Sequence, residues 1–397
     1  MIEIEFSVME AGPGDANKLL SLMEAFEKQY NIRVKLTGIT WTHGWAEVAK
    51  FGVYGHGPDV SSVGTTWIGS LASMQALRPF TPQQVRVLGG AESFFKSSWQ
   101  TALFPNDPTP WAIPWLGDTL VFYYWQESLE KAGVQDFKAA FATDVALVET
   151  LEKLQKSGID YPLALNVTKM EIILHEAAHW VWNAGGDFIS ADGKKATFNQ
   201  PLAMQGWKNY FGLRPFISPK WLGASSASGD SFLKAESAIQ LGGPYLTVTD
   251  IIDHPDRRRQ HMGIALVPGI TYVGGASFVI WQYSPRYQEA FELVRFLSSQ
   301  PTRIPASPFS RELPTRREAL NMPSVETNIF HRTYLEAMQT GRSFPTMRLW
   351  GAIEEKLIME ISRIWEELFT HPDQDLDACL HKYLDPLAER LNVTLGS

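Results

Sequence analysis

Apolar and acidic residues alternate from Ile2 to Glu5, and the segment then turns apolar through Met9 before Ala11-Gly12-Pro13-Gly14 interrupts it. A side-chain period of two followed by a glycine-proline break predicts a first strand over 2–9 that ends in a loop. Leu19, Leu20, Met23, Phe26 and Tyr30 recur at helical spacing, so a helix is expected over 17–30. Ile32 to Leu36 alternates again and predicts a second strand, after which Trp41 and Trp45 read as part of a loop. The turn at Gly57-Pro58 introduces a short strand, and 67–77 has a helical pattern that stops near Pro79. Strand and helix alternate through this first third, which implies a mostly parallel α/β sheet.

The stretch Phe104 to Trp115 carries four prolines and cannot be helical. It is expected to be extended and to cross between two lobes. An apolar strand over 118–125 follows, then helices over 144–156, 170–183 and 202–211. A short helical piece at 232–237 precedes strands over 238–241, 262–267 and 277–281. Helices are expected over 287–297, 330–338, 353–369 and 376–391.

A chain of 397 residues exceeds what one hydrophobic core usually serves, so two domains are expected. The net charge of -8 argues against nucleic acid as a partner, because phosphate binding needs clustered cations. The one basic run, Arg257 to Arg259, reads as a solvated loop. Cys379 is the only cysteine and has no partner within the chain. The opening residues lack a basic segment followed by an apolar one, so no signal peptide is expected in this chain. No apolar run approaches the about 20 residues that span a bilayer.

Three patterns bear on chemistry. His175-Glu176-Ala177-Ala178-His179 is an H-E-x-x-H string on a predicted helix, where two histidines four apart can share a zinc ion while the glutamate activates water. A catalytic zinc needs a third protein ligand. The extended pattern would place glycine at 182 and histidine at 185, where this chain has Trp182 and Gly185. A zinc-dependent hydrolase is therefore the alternative reading, and polar residues on a helix beside a cleft the preferred one. Gly12-Pro13-Gly14 lacks the spacing of a dinucleotide or phosphate loop, no nucleophile elbow is present, and no cofactor is expected. A glycosidase would need two carboxylates facing one another, and the sequence singles out no such pair.

The third pattern is aromatic. There are 14 tryptophans. Trp41, Trp45, Trp67, Trp115 and Trp350 fall at strand ends, crossovers or helix starts, as does Tyr245 after Gly242-Gly243-Pro244. Ligands of open α/β sheets bind at the carboxyl ends of strands, and a flat aromatic face suits the C–H face of a pyranose ring. At least half of the tryptophans, Trp125 and Trp207 among them, are expected to fill cores.

The order of several segments resembles the family 1 extracellular solute-binding proteins, the sugar-binding components of ABC importers. These segments are FEKQYNIRVKL, GPDV, WIGSLASMQALRPF, IPWLGDTLVFYYW, WNAGGDFISADGKKATFN, FLKAESAIQLGGPY, VPGITYVGGASFVIW, VRFLSSQ and LPTRREAL. The resemblance implies two α/β lobes with a ligand cleft between them, the periplasmic binding protein type II arrangement. The lobes are expected at 1–110 with 270–308 and at 111–269 with 309–397, with crossings near 108–116, 266–272 and 303–314. It further implies a monomeric, non-catalytic, extracytoplasmic protein that binds a sugar or short oligosaccharide and hands it to permease subunits. By position in the pattern, Glu10, Trp67, Asp118, Tyr245 and Trp350 are expected to contact the ligand. Trp41, Trp115, His175 and Gly275 complete the expected set.

Overall fold

The computed structural model describes residues 1–10, 15–168, 172–222, 231–244, 261–299 and 313–396. They form two compact units: unit 1 comprises Met1–Asp118 and Val273–Gly351, unit 2 Thr119–Tyr272 and Ala352–Ser397. Among the described residues the strands are β1 (Ile2–Glu10), β2 (Ile32–Thr40), β3 (Val60–Gly64), β4 (Leu77–Arg78), β5 (Ile113–Thr119) and β6 (Val121–Trp125). They continue with β7 (Leu163–Ala164), β8 (Ile239–Gly242), β9 (Met262–Leu266), β10 (Val273–Trp281) and β11 (Leu313–Pro314).

Unit 1 is built on a sheet ordered β11-β5-β10-β3-β1-β2, with β4 beside β10. Strand periodicity sorts its side chains onto two faces. Ile4, Phe6 and Val8 join Phe278 and Ile280 in a core closed by Phe26, Phe291 and Val294. Met9, Val63, Val279 and Trp281 point the other way and meet Ile68 and Leu71. Both faces are thus covered, and the apolar run ending β1 follows from that. Strand β2 is the edge, where Arg33, Lys35 and Thr37 stay exposed. Lys35 Nζ reaches Glu5 Oε1 at 2.6 Å, and charge along an edge discourages pairing with another chain.

The sheet is mixed, which corrects the mostly parallel expectation. Strand β1 is parallel to β2 and β3, but β10 runs antiparallel to β3 and β4, and β11 antiparallel to β5. The reversed strand β10 is the one by which the chain re-enters unit 1. A second correction concerns Trp41 and Trp45, which begin a helix over Trp41–Tyr54. Val48 anchors that helix in the core, and Gly55 ends it in a left-handed conformation.

Unit 2 has a smaller sheet ordered β7-β8-β6-β9, antiparallel except for β7 with β8. Its core is aromatic. Trp207 is fully buried and donates its indole N–H to the Phe198 carbonyl at 2.9 Å. Trp365 donates to the Tyr210 hydroxyl at 3.3 Å. Trp125 stacks on Phe232 and donates to its carbonyl. Burial of an indole is tolerable where the N–H finds an acceptor.

The chain passes between units at 118/119, 272/273 and 351/352. The expected strand over 118–125 is broken at Leu120 into the end of β5 and the start of β6. On the unit 2 side two threonines tie the passing segments: Thr119 donates to the Tyr272 carbonyl at 2.9 Å and Thr271 to that of Leu120 at 2.8 Å. The last boundary lies well beyond the expected 308/309. Strand β11 adds to the sheet of unit 1, and the Ser97 hydroxyl donates to the Met338 carbonyl there, which keeps 313–351 in unit 1. Residues 303–312, Arg257 to Arg259 and Tyr245 lie outside the described residues.

Candidate functional site

Three parallel strands of unit 1 end level with one another. The β1–β2 register pairs Glu10 with Thr40. The β1–β3 register pairs Phe6 with Val60 and Ser7 with Ser61 and, carried forward, brings Glu10 beside Gly64. The segments leaving all three strands are therefore gathered at one edge. Trp41 comes directly after β2, and Trp67 closes the short 3-10 turn Thr65–Trp67 after β3. Trp45 lies one helical turn beyond Trp41 on the same face.

The three indoles meet. Trp41 and Trp67 have ring centroids 5.5 Å apart at 54°, and Trp45 and Trp67 6.0 Å apart at 51°. Trp67 is buried, whereas Trp41 and Trp45 are half-buried. Gly44 makes this approach possible, since a Cβ there would lie 2.4 Å from Met9 Cε and 2.8 Å from Trp67 Cη2. The arrangement sets Trp41 and Trp45, each partly exposed, against one buried indole.

The other expected residues have varied surroundings. Glu10 is buried and accepts the Ala16 backbone N–H at 2.7 Å, so its carboxylate holds the start of the next helical segment. Trp115 belongs to the core of unit 1, stacked on Phe278 at 4.4 Å with Phe6 against its edge. Asp118 is half-buried near the end of β5. Trp350 starts the helix Trp350–Thr370, is buried, and has one face covered by Phe344 at 4.6 Å. Gly275 has φ +123°, and a Cβ there would lie 2.1 Å from the Leu116 carbonyl oxygen, so glycine is what lets β10 approach β5.

In unit 2 the His175 ring stacks on Tyr272 at 4.1 Å and 12°, and its Nε2 lies 3.2 Å from Glu354 Oε1. Neither Tyr272 nor Glu354 stood out in the sequence, since each meets His175 only across the fold. Trp45 could have been found from its i,i+4 spacing to Trp41, a signal lost by reading that segment as a loop.

The H-E-x-x-H string lies on the helix Ile172–Asn183, but its residues are occupied otherwise than a zinc site requires. Glu176 is fully buried and accepts from the Asn166 backbone N–H at 3.1 Å and side-chain amide at 2.5 Å. Burial raises its pKa to about 8, with the Asn166 hydrogen bonds opposing, so it holds a proton at neutral pH. A general base must instead be ionised. His179 is also fully buried; burial holds its pKa well below the usual value, and its Nδ1 lies 3.1 Å from the Glu176 carbonyl. Among the described residues no three His, Cys, Asp or Glu side chains are grouped to hold a metal ion. The zinc hydrolase reading is not supported.

Residues 13–303 match the family described as bacterial extracellular solute-binding protein. The chain belongs to this family of solute-binding proteins. No curated protein matches it in sequence. Among solved structures, it is similar to the sugar-binding protein MalE from Xanthomonas citri, with 21% identity, 99% and 97% of the two chains covered and a TM-score of 0.82. It is also similar to an ABC transporter solute-binding protein from Thermotoga lettingae bound with alpha-D-tagatose, at 19% identity, full coverage of both chains (100% each) and a TM-score of 0.82. Maltose-bound MalE3 from T. maritima matches at 18% identity, covering 99% and 100%, with a TM-score of 0.80. These likenesses carry the fold: two α/β lobes. Among the described residues no helix of this solute-binding protein is long and apolar enough to cross a membrane.

Proposed function

We propose that this solute-binding protein takes up a sugar or short oligosaccharide outside the cytoplasm and delivers it to the permease subunits of an ABC importer, as a monomer and without chemistry on the ligand. The carrying observation is the cluster of Trp41, Trp45 and Trp67 at the level carboxyl ends of β1, β2 and β3. Strand carboxyl ends are where α/β sheets bind ligands. An indole face offers the axial C–H groups of a pyranose a large apolar area at little entropic cost. Structural relatives carry tagatose and maltose in their solved complexes, which supports the same ligand class here.

Polar recognition is assigned to Asp118, whose carboxylate can accept from two hydroxyls, and to His175, held by Tyr272 and Glu354. Trp350 and Tyr245 remain proposed contacts by their place in the family pattern. A thermal-shift screen of the full chain against monosaccharides and oligosaccharides tests the reading. A sugar that raises the melting temperature and is recovered unchanged is the expected result. Melting that no carbohydrate shifts, or a sugar that is cleaved, would overturn it.

A further inference from the structure

We infer that Asn183 is a positioning residue for ligand binding, acting through the turn Pro268-Gly269-Ile270 on Tyr272 and, through Tyr272, on His175. The inference rests on the proposed role of His175 as a polar contact and deepens it by naming what sets that ring in place. Asn183 is the last residue of the helix Ile172–Asn183. Its side-chain Nδ2 donates to the Pro268 carbonyl, and its Oδ1 accepts the Ile270 backbone N–H at 2.8 Å. A carbonyl and an N–H two residues apart thus meet one amide, and only one orientation of that amide satisfies both. Gly269, between them, has φ +70°, and a Cβ there would lie 2.3 Å from Asn183 Oδ1. Both the left-handed backbone and the close approach call for glycine at this position.

The turn stands at the head of the second passing segment. Strand β9 ends at Leu266, and β10 starts at Val273 in unit 1. Between them Thr271 and Tyr272 are buried, Thr271 donating to the Leu120 carbonyl and Tyr272 accepting from Thr119. The Tyr272 ring lies flat on His175, which precedes Asn183 by eight residues, about 12 Å along the same helix. The helix therefore grips 268–272 at both ends, by an amide at the turn and by a ring at the exit. Ile173, Leu174, Ala177, Ala178 and Val181 are fully buried, so the gripping element is itself held firmly. Releasing the turn at Asn183 loosens the backbone that carries Tyr272, and the plane of His175 follows the ring stacked on it. Ligand affinity then falls in proportion to the fraction of molecules in which His175 is correctly set.

The test combines hydrogen exchange with binding kinetics on the full chain. Asn183→Asp keeps an acceptor for Ile270 but sets a carboxylate oxygen against the Pro268 carbonyl, and Asn183→Ala removes both bonds. Exchange across 267–273 should become at least about tenfold faster in both variants, while exchange in the helix Tyr287–Ser298 stays as in the parent. The probe for binding is the carbohydrate that gives the largest thermal shift in a screen that includes maltose and tagatose. Its association should slow about three- to tenfold and its dissociation stay within about twofold, because a smaller fraction of the free protein is competent. Gly269→Ala, which attacks the same turn from the other side, should behave alike and serves should the Asn183 variants fail to fold. Combining it with Asn183→Ala should cost less than the product of the two losses, since both break one turn. Exchange at 267–273 unchanged in every variant that folds would overturn the inference. So would faster exchange with unaltered binding rates, which would make Asn183 a structural tie and leave the carbohydrate reading intact. A parent that binds no carbohydrate would overturn that reading and the inference with it.

Discussion

Unit 1 and unit 2 each hold a cluster of tryptophans, and the two clusters are buried differently. In unit 2, Trp180, Trp207 and Trp365 are at most 1% exposed and pack with Tyr210 and Phe211. In unit 1, Trp41 and Trp45 stay half-buried over Trp67, at an edge where three strands end together. The unit 2 indoles sit within helices that wrap a core. Those three unit 1 indoles sit where strands give way to helices, whereas Trp115 and Trp281 of the same unit lie in its cores. The tryptophans of the two clusters therefore divide by position in the element into rings buried within helices and rings left partly exposed at strand ends.

Trp207 separates the two kinds of ring by the largest expected effect. Its replacement by alanine should cost about 3–5 kcal/mol of stability, with ligand affinity little changed in the fraction that folds. Denaturant unfolding beside calorimetry checks both parts. Trp67 stands between the two classes, since it is buried yet touches both open rings. Trp67→Ala should lower stability by about 2–3 kcal/mol and weaken binding as well. A loss confined to one of the two would place it wholly in one class.

The polar interior of unit 2 gives a pH signature of its own. The folded pKa of Glu176 is raised from 4.5 to about 8, so its contribution to stability is complete below 4.5 and is lost as pH rises toward 8. His179 is lowered from 6.5, so its contribution is present above 6.5 and lost as pH falls below it. Between 4.5 and 6.5 the two oppose each other; above 6.5 Glu176 dominates the pair. Stability should fall by up to about 2 kcal/mol from pH 6.5 to 8, and Glu176→Gln should flatten that limb. Urea titrations at several pH values measure it. The smallest effect belongs to the edge of unit 1. The Lys35–Glu5 pair is exposed, and Lys35→Ala should change stability by less than about 1 kcal/mol, a change that salt diminishes.

The α/β class was legible because periodicity and glycine-proline breaks locate elements without tertiary information. The helix Asp144–Lys156 and the helix Tyr287–Ser298 follow the spacing of their apolar residues closely. Strand direction was not legible. Whether β10 runs with or against β3 depends on where the chain re-enters unit 1, and no local pattern encodes that. The Trp41 helix was hidden by Gly44, a residue that weakens a helix and that is needed here for the approach to Trp67. Trp115 was read as a ligand contact from its place in the crossover, and Gly275 was counted in the same expected set. Packing against Phe278 and Leu116 explains those residue types within unit 1 itself.

Affinity for sugar is proposed to reside in Trp41 and Trp45 of unit 1, the partly exposed indoles over Trp67. Calorimetric titration of the Trp41→Ala/Trp45→Ala double variant with the tightest-binding carbohydrate tests it most directly, with melting temperatures recorded alongside. The expected result is a loss of at least about 2 kcal/mol, roughly thirtyfold in affinity, while the protein still melts cooperatively. A double variant that binds the sugar as tightly as the parent would contradict it.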